Sequence, residues 1–293
     1  MNEDYRAQFA QLEPLHAKHL EMLRYVDDFC TRHGVRWCLA YGSALGARRH
    51  GGPIPWDDDV DIVIPAEDYE IFRDAFRREG DHDRFYLQET IDVDGMVSAT
   101  KLRMNGTTYI EPTLRHLDMH QGLFVDIFIL FHAPRSRWGQ LLGRLGGAYL
   151  EVKRMSFQGY NKRKAFVPLM ALLRLFPRDF GMKSILRWQY RQDRKDTGLL
   201  AMWGLYSRIC PEEMLFPARR IVYDGVELCV PCQTEAYLEQ TYGDWRRIPT
   251  IDRIAWAQHA SQWDMTRDFR ELLPHTGNFA DEMGSEWSRS HCK

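Results

Sequence analysis

Three aspartates at alternate positions, Asp57, Asp59 and Asp61, stand in the stretch Pro53-Ile-Pro-Trp-Asp-Asp-Asp-Val-Asp-Ile-Val-Ile-Pro65. Successive side chains of an extended chain point to opposite sides. The three aspartates then share one face, while Asp58, Val60, Ile62 and Ile64 share the other, which suits a core. The pattern predicts a strand over about 57–64. Carboxylates two residues apart lie about 7 Å from each other, and at an effective dielectric of about 20 each adjacent pair repels by roughly 2 kcal/mol. Solvent offsets such repulsion in most acidic loops. Here Trp56 and the Ile-Val-Ile run hold the carboxylates at the end of a buried strand, where water screens less well. A hard divalent cation, Mg2+ or Mn2+, suits an all-oxygen ligand set, and such sites are suited to phosphoryl transfer.

Other residues complete that chemistry. Gly42-Ser43 turns a strand into a short helix, which leaves backbone N–H groups and the positive end of a helix dipole free to seat a phosphate. Arg48, Arg49 and His50 follow closely. In Gly122-Leu-Phe-Val-Asp-Ile-Phe-Ile-Leu130 a lone acid, Asp126, interrupts an apolar strand, a costly placement unless the charge is used. Asp126 can hold a second metal or take the proton of an attacking hydroxyl, and a structural ion pair is the competing reading. Lys101 and Arg103 share one face of a predicted hairpin that turns at Asn105-Gly106, and both suit phosphate binding, with surface solvation as the alternative.

Certain elements must position these groups. Leu12, Leu15, Leu20, Leu23, Val26 and Cys30 recur at helical spacing, so an amphipathic helix is expected to end near Gly34. Residues 35–41 read as a short strand leading to Gly42. A hairpin at Asp224-Gly225 and a helix over 234–242, capped by Thr234, are expected to support the core. Between about 135 and 195 the chain carries fifteen Lys and Arg against three acids, interleaved with Trp138, Leu141, Leu142, Leu145 and Tyr149. That composition predicts basic amphipathic helices, either a solvated subdomain or a peripheral contact with anionic membrane.

Apolar residues make up 44% of the 293, enough for a sizeable core and against disorder. A net charge of -2 supplies no global field for nucleic acid, and no base-reading module appears. The start reads as no secretory signal and no run of about 18 apolar residues occurs, so a cytoplasmic protein is expected. The six cysteines are expected to be reduced thiols. Cys229-x-x-Cys232 lacks two nearby zinc ligands even if His259 folds back to help.

The segments Tyr41-Gly-Ser-Ala-Leu-Gly-Ala-Arg-Arg-His50 and Ile54-Pro-Trp-Asp-Asp-Asp-Val-Asp-Ile62 resemble the LicD and fukutin-related family. Further likeness runs through Lys101-Leu-Arg103, Thr107 to Tyr109, Gly122 to Phe128, Val230-Pro231, Tyr237-Leu238 and Tyr242-Gly-Asp244, with only a loose match over about 133–210. The resemblance implies an α+β fold, a nucleotidyltransferase-like mixed β-sheet core flanked by helices with a helical basic insertion. The expected parts are a catalytic core over 1–132, a basic helical segment over 133–215, a part completing the core over 216–275 and a loosely ordered tail over 276–293.

It implies Asp59, Asp61 and Asp126 as catalytic, Asp57 with them as metal ligands, and Gly42, Ser43, Arg48, Lys101 and Arg103 as substrate-binding. The implied reaction moves a phospho-alcohol, phosphocholine first among candidates, from a CDP-linked donor to a sugar hydroxyl of a glycan or lipid-linked glycan, releasing CMP. An NTP-dependent nucleotidyltransferase releasing pyrophosphate is the alternative. Two departures stand out: Ser43 replaces a more usual Thr, which keeps the hydroxyl, and Ile129 replaces a Pro after Asp126, which leaves the following backbone open.

Overall fold

The computed structural model describes residues 7–89, 99–157, 167–177, 180–193, 196–204, 207–250, 254 and 259–273. The expected tail lies outside them. Helix α1 (Glu13–His33) follows the predicted period: Leu15, Met22, Leu23, Val26 and Phe29 are wholly buried. Each such side chain contributes roughly 1.5–3 kcal/mol relative to exposure. The helix stops at Gly34, whose φ of 66° is the left-handed cap that favours glycine.

Strand β1 (Cys38–Leu39) is only two residues long, and helix α2 (Tyr41–His50) begins directly after it. Gly42 and Ser43 therefore lie in the first turn of α2 rather than in a separate turn. Strand β2 (Asp61–Pro65) is also shorter than expected: residues 57–60 are irregular. Helix α3 (Ala66–Glu79), strands β3 (Phe85–Gln88), β4 (Thr100–Met104) and β5 (Thr108–Ile110), and the nine-residue β6 (Phe124–His132) follow.

A mixed sheet runs β1-β2-β6-β4-β3, in which only β2 and β6 are parallel. The chain does turn at Gly106, with φ of 68°, but the expected β4–β5 hairpin does not form. Both edges of β4 are already taken, by β6 and β3, so β5 pairs elsewhere. Strand β6 continues straight through Ile129, which pairs with Ile64. That open question about the backbone after Asp126 resolves into unbroken ladder.

Three helices come next: α4 (Arg137–Met155), α5 (Val167–Arg174) and α6 (Met182–Asp193). Strand β7 (Leu199–Met202) then returns to the end of β6, and β8 (Arg208–Pro211) pairs with β7. After the short α7 (Glu212–Leu215), strands β9 (Arg219–Tyr223) and β10 (Val226–Val230) form the expected hairpin, with Asp224 and Gly225 both at positive φ. That pair of conformations defines the tight hairpin turn. Helix α8 (Thr234–Tyr242) is capped by Gln233, not Thr234; the Thr234 hydroxyl instead donates to Pro231 O at 2.5 Å.

Strand β11 (Gln262–Asp264) pairs with β5. One apolar core gathers Leu15, Phe29, Ile62, Phe72 and Ile127 with Leu215, Leu228, Leu238 and Met265, so the early and late parts of the chain are packed as one body. Among the described residues no helix is long and apolar enough to cross a membrane.

Candidate active site

Sheet register assembles the site. In the ladder Asp61 of β2 stands beside Asp126 of β6, and Asp126 beside Lys101 of β4. Cross-strand partners project to one face, so an acid, an acid and a base form a row across three strands. Asp57 and Asp59 join from the segment just before β2. Although that segment is not a strand, the alternation survives: Asp57, Asp59 and Asp61 are half-buried, while Asp58 and Val60 are buried.

Helix α2 closes the near side. Ser43 Oγ accepts from Asp61 N–H at 2.9 Å, tying the first turn of α2 to β2. A Cβ on Gly42 would lie 2.6 Å from Asp57 Oδ2, so only glycine lets the carboxylate come this close. Tyr41 has φ of 42°, a conformation costing a non-glycine residue about 1–3 kcal/mol. Its N–H donates to Tyr237 Oη at 3.1 Å, its hydroxyl meets Met202 Sδ at 3.0 Å and its ring packs edge-on to Phe128. The first N–H groups of a helix have no acceptor within it, so α2 presents donors and a positive dipole end beside Asp57.

The carboxylates strain against each other. Burial, then repulsion from Asp59, pushes the Asp57 carboxyl well above its ordinary range. Burial likewise raises Asp61, with Asp59, Asp126 and Asp57 adding to it, and raises Asp59 to about 6 against the pull of His259. Asp126 is raised by burial and held back by Lys101, whose Nζ is 2.7 Å from Oδ1. Lys101 also sits 3.2 Å from the Phe124 ring centroid and 3.6 Å from Glu111.

Expected phosphate ligands fare differently. Lys101 faces the site but serves as the counter-charge of Asp126. Arg103 is sealed in the core, donating through Nε to Gln88 Oε1 at 3.0 Å and through Nη1 to Gly122 O at 2.9 Å, so it is not a surface anion ligand. Buried Arg is normally held by such paired acceptors. Arg48 lies at the far end of α2 and pairs with Glu235 at 2.6 Å. Its neighbour Arg49 feels the charge of Asp57, while its guanidinium donates to Trp245 O at 2.9 Å.

Residues not anticipated also converge. Asp58 turns away from its neighbours and accepts from the backbone N–H groups of His259 and Ala260 and from His259 Nδ1 at 3.1 Å. The imidazole lies 3.5 Å from Asp59, and its pKa is raised to about 9, first by the bond to Asp58. His259 thus belongs to the acidic cluster rather than to Cys229 and Cys232, and no local signal links positions 201 residues apart. Tyr242, whose hydroxyl burial and the aspartates push up, and Tyr223 flank the same cluster.

In chemistry, though not in convergence, the donor set is of the kind a hard divalent ion takes. It is all oxygen, and burial together with mutual repulsion raises the carboxyls of Asp57, Asp59 and Asp61, while Lys101 at 2.7 Å already partners Asp126 Oδ1. The four aspartates do not bring three oxygens within 4.8 Å of one another. Among the described residues His132, Asp196 and Glu212 do, but Glu212 is held by Arg36 and Asp196 caps Gly198.

The profile described as "LicD/FKTN/FKRP, nucleotidyltransferase domain" matches residues 34–143, the span containing α2, β2, β4 and β6. The lipopolysaccharide cholinephosphotransferase LicD of Haemophilus influenzae is 34% identical over 245 residues, covering 78% of this chain and 89% of that one. The chain belongs to the LicD family and is a LicD-type phosphotransferase. The human ribitol 5-phosphate transferase FKRP is 54% identical over 48 residues, but the match spans only 10% of its length. Mannosyltransferase regulator 4 of Saccharomyces cerevisiae is 26% identical over 114 residues, 9% of its length.

Proposed function

We propose that the protein transfers a phospho-alcohol, phosphocholine as the leading candidate, from a CDP-linked donor to a sugar hydroxyl of a glycan or lipid-linked glycan, on a nucleotidyltransferase-type core at the cytoplasmic side of a membrane. The row Asp61, Asp126, Lys101, with Asp57 and Asp59 beside the start of α2, carries this reading. Asp57, Asp59, Asp61 and Asp126 would hold Mg2+ or Mn2+, which when bound supplies charge neutralisation for a diphosphate. The first-turn N–H groups of α2 and the Ser43 region orient the donor phosphates. Asp126, less acidic than an ordinary carboxyl, accepts the proton of the sugar hydroxyl. The hydroxyl oxygen then bonds to the alcohol-bearing phosphorus, the bond to the CMP oxygen breaks, and CMP leaves with that electron pair. Lys101 keeps Asp126 ionised and in place between turnovers.

The test is CMP release from CDP-choline and CDP-ribitol with Mg2+ or Mn2+ and a glycan acceptor, with Asp59→Ala as control. Metal-dependent CMP from the intact protein alone supports the reading and names the donor. Pyrophosphate release from an NTP, with neither CDP-alcohol consumed, overturns it in favour of nucleotidyl transfer.

A further inference from the structure

Helix α4 packs with its small side down. A Cβ on Gly143 would lie 2.6 Å from the Trp203 ring and one on Gly147 2.5 Å from Gly204 N, so these glycines press the helix onto the body of the protein. On the opposite side, at helical spacing, Trp138, Leu141, Leu142 and Leu145 are 77%, 44%, 56% and 59% exposed. This inverts the usual arrangement, in which a surface helix turns its large apolar side chains inward.

The stripe continues under α5. Tyr149 and Val152, further along the same face of α4, pack with Met170 and Leu173 of α5. Lys153 Nζ donates to Leu173 O at 2.5 Å and Phe176 O at 3.1 Å, fixing the end of that helix. Yet α5 is apolar on its outer side too: Leu169, Leu172, Leu175 and Phe176 are all exposed, and Phe180 stacks on Phe176. Of the fourteen large apolar side chains exposed among the described residues, ten lie between Trp138 and Phe180. Scattered single exposures are ordinary, but so concentrated an apolar face marks a binding surface.

Charge selects the occupant. By helix geometry Arg137 and Arg144 lie roughly 100° round α4 from the stripe, and both are exposed, as are Arg174, Lys183, Arg187 and Arg191. Exposed acids are scarce here: Glu151 is the single acidic residue in the sequence from 135 to 178. An apolar face bordered by cations matches the boundary of a bilayer rich in anionic headgroups, not a second copy of the same cationic face, which would repel itself.

We propose that the outer faces of α4 and α5 form a docking surface that seats this enzyme on anionic membrane. The inference does not depend on the transfer reaction. It is tested by flotation of the full chain with vesicles of phosphatidylcholine alone or with 30 mol% phosphatidylglycerol, at low and high salt. At least tenfold more protein should float with the anionic vesicles, falling at high salt. The double variant Leu142→Glu, Leu145→Glu should lose that binding at least tenfold while keeping a native far-ultraviolet spectrum and its rate on a water-soluble acceptor. Absence of flotation with either vesicle overturns the proposal, as does a wild-type dimer, dissociated by the double variant, that binds no lipid. Arg137→Glu with Arg144→Glu, which leaves the apolar face intact, should also weaken binding; unchanged flotation would refute the electrostatic part. Because rate and flotation are read separately, a wrong assignment of the reaction leaves the vesicle result interpretable.

Discussion

Gly42→Ala separates the chemistry of the site from the stability of the fold. The added methyl would stand 2.6 Å from Asp57 Oδ2, whereas ordinary contact begins at 3.4 Å, so the carboxylate must retreat by about 0.8 Å. It has little room, because Asp59 is already within hydrogen-bonding reach. A displacement near 1 Å of a group that positions substrate costs on the order of 100-fold in rate, about 2.7 kcal/mol of barrier. The backbone itself accepts alanine, since Gly42 is not among the positive-φ glycines, and Gly to Ala inside a helix gains up to about 1 kcal/mol. CMP release should therefore fall roughly 100-fold and the thermal shift produced by Mn2+ should shrink, while the urea midpoint in EDTA stays level or rises. A rate within threefold of wild type, with an unchanged Mn2+ response, would refute the placement of Asp57 in the reacting site.

Three further outcomes follow from the same geometry. In EDTA, stability should fall as pH rises from about 4 through 6, because the folded chain keeps protons on Asp59 and its neighbours that the unfolded chain has lost. His259 acts in the same direction, its contribution present below about 6.5 and lost as pH passes about 9; Mg2+ should raise Tm more at pH 8 than at pH 5.5, and a Tm in EDTA that climbs with pH contradicts both. Lys101→Met leaves Asp126 buried without its counter-charge, so urea unfolding at pH 7.5 should show a loss of about 3–5 kcal/mol, less at pH 5 where Asp126 can take a proton. Equal losses at the two pH values would argue for lost packing on Phe124 instead. Asp58→Ala removes the acceptor of three hydrogen bonds and should cost about 3 kcal/mol, against a smaller cost for His259→Ala, which spares the backbone N–H groups; the reverse order in urea midpoints would rule out Asp58 as the anchor of residues 259–260.

Much of the candidate site was legible because it is written locally. The alternation around Asp57, the Gly-Ser start of α2 and the acid in the β6 strand each carry their own signature within a dozen residues. Register then converts Asp61 and Asp126 into neighbours, as a parallel pair of strands must. Arg103 illustrates the limit: its spacing from Lys101 shows that they share a face, but not that Gln88 and Gly122 O wait to bury it. The absent β4–β5 hairpin has a similar cause. Asn105-Gly106 encodes a turn, whereas the choice of partner depends on β3, β6 and β11, which lie elsewhere in the chain. His259 could not be assigned for the same reason, since only the folded chain brings it to Asp58.

The run Asp57-Asp-Asp-Val-Asp61 reads as a single acidic motif, yet it is two interleaved sets with unlike duties. Asp58 fastens a distant stretch of chain, and its neighbours are the ones proposed to serve the reaction. If the proposed assignment holds, loss of any of these carboxylates would silence the enzyme, but for Asp58 the silence would be that of a misassembled molecule. On the proposed reading, a damaging substitution at that position would be a lesion of folding, correctable by low temperature or a stabilising ligand, whereas one at Asp59 would not.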